Sequence, residues 1–177
     1  MRKAFITDSR RTLIIGNAGS GKSWLAKQLA VLTSADHIEL DELHWEPGGF
    51  NKRRARDDAI SGVRIAARKD TWIIEGVFGW LAKEAVSEAT LLLWLVIPED
   101  ECVANLRDRK IKSGEDDASG TALIDWCRQY RLRTNANSYL GHEAIYQGFG
   151  SQKKLIQSRG DMGNLILSFE KAILRSE

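Results

Sequence analysis

A chain of 177 residues, 43% of them hydrophobic and 28% charged, has the make-up of one ordinary globular domain. A net charge of +2 excludes a strong overall pull toward nucleic acid or a membrane surface. Cys102 and Cys127 lack metal-site spacing and read as free thiols of a cytoplasmic protein. No apolar run has the length of a bilayer, and the first ten residues hold too short an apolar stretch for a signal peptide.

The first strand is expected at Leu13-Ile14-Ile15, and Leu25, Ala26, Leu29, Ala30 and Leu32 mark an amphipathic helix after it. A second strand over 36–40 runs into Asp41, and Pro47-Gly48-Gly49 breaks the chain into a loop. Helical spacing predicts a second helix from Asn51 to Lys69. Trp72–Glu75 reads as a third strand, cut off by Gly76, with a short helix from Gly79 to Glu88. Leu91–Ile97 is the fourth strand. Pro98 stops it, and Glu99, Asp100 and Glu101 suit the positive end of a helix running to about Lys112. A polar loop follows from Ser113 to Gly120, then two helical stretches between Thr121 and Arg159, with breaks expected around Gly141 or Gly148. Leu165–Phe169 reads as a last strand and Lys171–Arg175 as a closing helix. Unbroken apolar strands alternating with helices imply an α/β fold, a parallel sheet with helices on both faces.

Between the first strand and its helix lies Gly16-Asn17-Ala18-Gly19-Ser20-Gly21-Lys22-Ser23, which matches G-x-x-x-x-G-K-[ST], the phosphate-binding P-loop. Glycines let the backbone wrap closely enough for its N–H groups to cradle phosphates. The helix N-terminus adds unpaired donors and a favourable dipole. Lys22 then reaches the β- and γ-phosphates of ATP, and the Ser23 hydroxyl is the expected ligand of Mg²⁺. Gly16 to Ser23, with Trp24 next to them, form the expected cofactor-binding stretch. As side chains, Trp24, Trp72, Trp94 and Trp126 read as core or helix-face packing.

In an open α/β sheet, ligands bind beyond the carboxyl ends of the strands. Gly16, Asp41, Glu75 and Ile97 fall at those ends, so Asp41 and Glu75, each directly after a strand, are candidates to position water or the acceptor. Glu39 and Glu42 read as solvated neighbours. His44 and Trp45 offer a hydrogen-bonding ring and an aromatic wall for an acceptor, with Phe78 and Trp80 also bordering the pocket. Lys52, Arg53, Arg54 and Arg56 open the second helix, where cations oppose the dipole. The forked guanidinium groups of the arginines suit an anionic acceptor, Arg53 and Arg56 being the chosen pair. Arg107 and Arg109, followed by Arg128, Arg131 and Arg133, suit a closing segment that neutralises the transferred phosphoryl group, Arg107 and Arg131 above all.

These features resemble the nucleoside-monophosphate-kinase-like P-loop proteins, which include adenylate, shikimate and gluconate kinases. Within that group they are most similar to the adenylate-kinase-like, or DNA topology modulation, proteins. The resemblance rests on Gly16–Ser23, on Leu40-Asp-Glu-Leu-His-Trp-Glu-Pro47, on Trp72-Ile-Ile-Glu-Gly76, and on strand Leu91 to Pro98 with its arginine-bearing helix. It covers roughly residues 11 to 135. It implies a five-stranded parallel sheet in the order 2-3-1-4-5, an ATP and Mg²⁺ site, an acceptor-binding insert over about 42–69 and a helical lid over about 107–140. The acceptor would lie near Asp41, His44 and the helix bearing Arg53 and Arg56. Val96 stands where many relatives carry an acid. The expected activity is transfer of the γ-phosphoryl group of ATP to a nucleotide-like or small hydroxylated acceptor. The alternative is a regulatory or nucleic-acid-associated P-loop protein that binds or slowly hydrolyses ATP.

Overall fold

The computed structural model describes residues 8–48, 52–113 and 118–174. The residues before Asp8, the start of the expected helix at Asn51, and the centre of the polar loop between Ser113 and Gly120 lie outside the described residues.

Five strands form one wholly parallel sheet: β1 Arg11–Gly16, β2 Asp36–Glu39, β3 Trp72–Gly76, β4 Leu91–Leu95 and β5 Gln152–Ile156. Their spatial order is β2-β3-β1-β4-β5, the order expected from the sequence. The helices are α1 Lys22–Thr33, α2 Leu40–His44, α3 Arg56–Ala67, α4 Gly79–Ala82, α5 Glu99–Ser113, α6 Ala118–Arg128, α7 Tyr139–Gly148 and α8 Arg159–Ile173.

The two-residue period of the central strands divides the core. On one face Leu13, Ile15, Ile74, Leu92 and Trp94 pack under α3, α4 and α7 through Val63, Leu81 and Ile145. On the other, Ile14, Ile73, Leu91, Leu93 and Leu95 pack under α1, α5 and α8 through Leu25, Leu29, Leu106 and Leu165. Apolar residues are therefore needed on both sides of β1, β3 and β4, which explains their unbroken runs.

The C-terminal part differs from the sequence expectation. Leu165–Phe169 belongs to α8 and is not a strand. Met162, Leu165 and Phe169 are buried while Leu167 is half exposed, which is the spacing of a helix face. The helix starts where the Ser158 hydroxyl accepts from the Asp161 N–H. The fifth strand is Gln152–Ile156, inside the stretch read as helical. It pairs only with β4, and as an edge strand it needs no continuous apolar run. Lys153 Nζ turns back to donate to the Tyr146, Gln147 and Phe149 carbonyls at the end of α7. Gly141 lies within α7 and breaks nothing, whereas Gly148 is the last residue of that helix.

Smaller shifts concern the site. Leu40 starts α2 and does not end β2, so Asp41 is a helical residue and not the residue directly after a strand. Glu75 lies inside β3, opposite Ile14 of β1 and Glu39 of β2. The described part of the second helix begins at Arg56, with Asp57 and Asp58 in its first turn, so Arg53 and Arg54 precede it. The helix from Gly79 is regular only to Ala82 and continues as turns.

Candidate functional site

The glycine-rich loop leaves β1 at Gly16 and enters α1 at Lys22. Gly19 and Gly21 have φ of 73° and 93°, the left-handed region that a side chain disfavours. A Cβ on Gly19 would also run into the Cys102 carbonyl oxygen. Gly21 is the N-cap of α1 and carries no side-chain acceptor, so the first-turn N–H groups stay open to an anion. Lys22 folds back over the loop, its Nζ donating to the Asn17 carbonyl at 2.7 Å. The buried Asn17 side chain braces the loop from below: its Oδ1 accepts from the Ala18 N–H, and its Nδ2 donates to the Cys127 carbonyl of α6 at 2.9 Å. The Ser20 hydroxyl is buried without a hydrogen-bond partner.

The Ser23 hydroxyl donates to Glu75 Oε1 at 2.6 Å. Glu75 sits on the α1 side of the sheet because its β-strand neighbours Ile74 and Gly76 face the other way. Burial raises its carboxyl. The neighbouring His37, the Lys22 charge and the Ser23 hydroxyl outweigh that and hold it below its ordinary value, so it is an anion at neutral pH. His37 Nε2 stands 3.9 Å from Glu75 Oε1, and donor atoms of His37, Glu39 and Glu75 all lie within 4.8 Å of one another. Asp41 shares this field. Burial raises its carboxyl above the ordinary value, Lys22 and Arg109 oppose the rise, and Glu75 and Glu39 add to it. The Ser23 hydroxyl and the carboxylates of Glu75, Glu39 and Asp41 are oxygen donors of the kind that suit a hard cation such as Mg²⁺. Glu39 thus lies half-buried beside Glu75 and His37, where the sequence suggested a solvated neighbour. Its parallel pairing with Glu75 puts it there, and that pairing is a tertiary fact invisible in sequence.

One turn beyond Asp41 on α2, His44 is buried and forms the hub of an aromatic cluster. Its ring lies 4.0 Å from Phe78, 4.5 Å from Trp45 and 5.8 Å from Trp80, centroid to centroid. Arg53 stands over Trp45 at 6.0 Å and Arg56 over Trp80 at 4.7 Å. Trp45 bridges Arg53 in antiparallel fashion, and Arg54 N–H donates to the His44 carbonyl, so the chain returns upon itself there. His44 Nδ1 has no hydrogen-bond partner. Burial first, then the Arg53 charge, lowers the His44 pKa, and the ring is neutral at pH 7. The five residues expected to meet an acceptor, His44, Trp45, Arg53, Arg56 and Phe78, are therefore brought together, and Trp80 joins them.

The later arginines are less concentrated. Arg107 is exposed and borders a surface groove with Glu99, Asp100, Val103 and Arg128. Arg131 pairs with Glu99 at 2.9 Å and stacks on Tyr139, while Arg133 stacks on Trp126. Arg109 is the one whose charge is felt at Asp41. Trp72 and Trp94 are core residues as expected, but Trp24 is 53% exposed on α1, one residue past the loop.

A buried relay missed in the sequence ties this region to the sheet. Trp94 Nε1 donates to the Tyr130 hydroxyl, which lies 2.6 Å from His142 Nδ1, and His142 Nε2 lies 3.0 Å from the Val77 carbonyl. The arrangement is satisfied by a neutral His142 with its proton on Nε2. Burial lowers the His142 pKa to about 3.

A glycine loop with Lys22 and Ser23 between the first strand and helix of a 2-3-1-4-5 parallel sheet is the architecture of the P-loop fold. No protein-family model matches the chain. A cytidylate kinase of Haloarcula marismortui is 33% identical over 117 residues, which is 58% of this chain and 59% of that protein, so the match spans little more than half of each. A shikimate kinase from Bacteroides thetaiotaomicron superposes with a TM-score of 0.58 at 17% identity, covering 92% of this chain and 97% of that one. The shikimate kinase of Acinetobacter baumannii, solved with shikimate, gives 0.55 at 14% identity over 99% and 98% of the two chains. A gluconokinase from Sinorhizobium meliloti gives 0.54 at 12%, over 94% and 93%. The chain has the nucleoside-monophosphate-kinase-like P-loop fold.

Proposed function

We propose that this protein is an ATP-dependent kinase that transfers the γ-phosphoryl group to a small acceptor, either nucleotide-like or hydroxylated. The observation that carries the reading is the single field formed by Lys22, Ser23, Glu75 and Asp41, with the His44 cluster one helical turn from Asp41. A protein that only binds or hydrolyses ATP has no need of an aromatic and arginine cluster beside its phosphate loop. The sequence similarity to a cytidylate kinase supports the nucleotide-like option.

In this reading, residues 16–24 bind the nucleotide, their backbone N–H groups and the α1 N-terminus holding its phosphates. Lys22 leaves the Asn17 carbonyl to meet the transferred phosphoryl group, whose charge grows on its oxygens in the transition state. Ser23, with Glu75 beside it, would hold Mg²⁺. When bound, that ion neutralises phosphate charge during transfer. Glu75 is anionic and orients the Ser23 hydroxyl; the raised pKa of Asp41 suits it to take the acceptor hydroxyl proton. His44, Trp45 and Phe78 line the acceptor, and Arg53 and Arg56 meet its negative charge. The segment over about 42–69 serves as the acceptor-binding insert, and that over about 107–140 as the lid. There Arg107 and Arg131 close on the phosphates after Arg131 releases Glu99.

The test is incubation with ATP, Mg²⁺ and a panel of nucleoside monophosphates and hydroxylated acids. ADP formation that depends on one acceptor supports the kinase; ADP formation indifferent to every acceptor overturns it.

A further inference from the structure

Cys102 and Cys127 take no part in the chemistry above, yet both press on the phosphate loop. Cys102 lies in the first turn of α5 and Cys127 near the end of α6, and both side chains are buried in the same apolar cluster as Ile14, Leu25 and Leu106. Cys127 Sγ lies 3.4 Å from the Ala18 carbonyl and 3.3 Å from Asn17 Nδ2, so it touches two consecutive residues of the loop. The Cys102 backbone carbonyl closes against Gly19, the next residue. The two thiols also stand within hydrogen-bonding reach of each other.

We propose that Cys102 and Cys127 are a redox-modifiable pair, and that a low-molecular-weight disulfide converts them to an internal disulfide that weakens nucleotide binding at the adjacent loop.

The two sulfurs are not equivalent. Asn17 Nδ2 donates to Cys127 Sγ at 3.3 Å, a contact that favours the Cys127 thiolate, whereas the buried Cys102 thiol donates its proton to the Ile97 carbonyl at 3.7 Å. Cys127 is therefore the attacking sulfur. When α6 opens locally, its thiolate attacks one sulfur of the small disulfide. A bond forms from Cys127 to that sulfur, the small S–S bond breaks, and one small thiol leaves with a proton. Cys102 then gives up its proton and attacks Cys127 Sγ, the mixed disulfide breaks, and the second small thiol leaves. Two cysteine thiols are oxidised and one small disulfide is reduced to two thiols. Once bonded to Cys102, Cys127 has no proton to offer Ala18 and must turn from Asn17 toward α5. The loop loses one or two of its braces, a change on the order of five- to tenfold in affinity.

The experiment treats the reduced full-length protein with oxidised glutathione and maps its disulfides without reduction. ATP affinity and hydrogen exchange of amides 16–23 are then measured before oxidation, after it, and after dithiothreitol. The expected result is a Cys102–Cys127 bond, five- to tenfold weaker ATP binding, faster exchange in the loop, and reversal of all three by the reductant. Cys102→Ser should bind ATP like the reduced wild type and acquire only a glutathione adduct on Cys127. Glutathione adducts without an internal bond in the wild type would overturn the proposal. So would an internal bond that leaves both affinity and loop exchange unchanged. Failure of the reduced protein to bind ATP would count against the proposed function, and the mapping and exchange would still decide this pair.

Discussion

The Ser23 hydroxyl donates to the Glu75 carboxylate at 2.6 Å, tying the first turn of α1 to the interior of β3. The contact joins the residue that ends the phosphate loop to the sheet's most buried acid, 2% exposed. A buried anion needs such partners, because its desolvation otherwise outweighs what it gains. Replacing Glu75 with Gln keeps a hydrogen-bond acceptor for Ser23 and removes the charge. Phosphoryl transfer should then fall about a hundredfold and need more Mg²⁺, with ATP affinity in the absence of metal changed by less than about threefold. Titrating Mg²⁺ against turnover checks this; an unchanged Mg²⁺ requirement would count against it.

Gly19 should tolerate no side chain. Its positive φ and the Cys102 carbonyl at its Cα leave no room for a methyl group, so Gly19→Ala must move the loop or α5. A loss of about 1–3 kcal/mol is expected, together with at least tenfold weaker ATP binding. Urea unfolding and nucleotide titration measure the two effects separately. Wild-type stability in the variant would show that the loop conformation differs from the one described.

Much of this was legible in the sequence, for a physical reason. The loop's function demands glycines, a lysine and a hydroxyl at fixed spacing, and the central strands must be apolar on both faces. The edges were harder. β5 carries Lys153 and Lys154 because an edge strand is only half-buried, and Lys153 donates to the carbonyls at the end of α7, so its composition resembles a surface helix. The apolar run 165–169 looked like a strand, although only every third or fourth residue is buried. His37 and Glu39 reach Glu75 only through strand pairing, and the relay from Trp94 through Tyr130 to His142 spans residues far apart in the chain.

His142 makes stability depend on pH in a defined window. Its folded pKa of about 3 lies below the ordinary 6.5, so below pH 6.5 the unfolded chain takes up a proton that the folded protein refuses. The neutral ring's contribution is complete above the unfolded pKa and is lost as the pH falls toward the folded one. The slope is roughly 1.4 kcal/mol per pH unit, or about 2 kcal/mol between pH 6.5 and about pH 4.5 after allowing for the curved onset. Urea midpoints across that range should fall in the wild type. The slope should be shallower by about that amount in His142→Gln, even though this variant is less stable throughout. Parallel slopes in the two proteins would contradict the assignment.

Arg56 lies over Trp80 at the rim of the His44 cluster, as the first residue of α3, whose first turn also holds Asp57 and Asp58. If the cluster receives an anionic acceptor, Arg56→Ala should raise the KM for that acceptor about tenfold, leaving the KM for ATP within about twofold. Steady-state kinetics with each substrate varied in turn separates the two. An equal rise in both constants would place Arg56 at the nucleotide instead.

The central claim is that Lys22, now resting on the Asn17 carbonyl at 2.7 Å, moves to the transferred phosphoryl group. The most direct measurement is single-turnover transfer from γ-labelled ATP to the acceptor found by the panel, comparing wild type with Lys22→Ala at saturating nucleotide. The account predicts labelled acceptor from the wild type and a rate lower by about a hundred- to a thousandfold in the variant. Transfer at an undiminished rate in Lys22→Ala, with the fold intact, would contradict it.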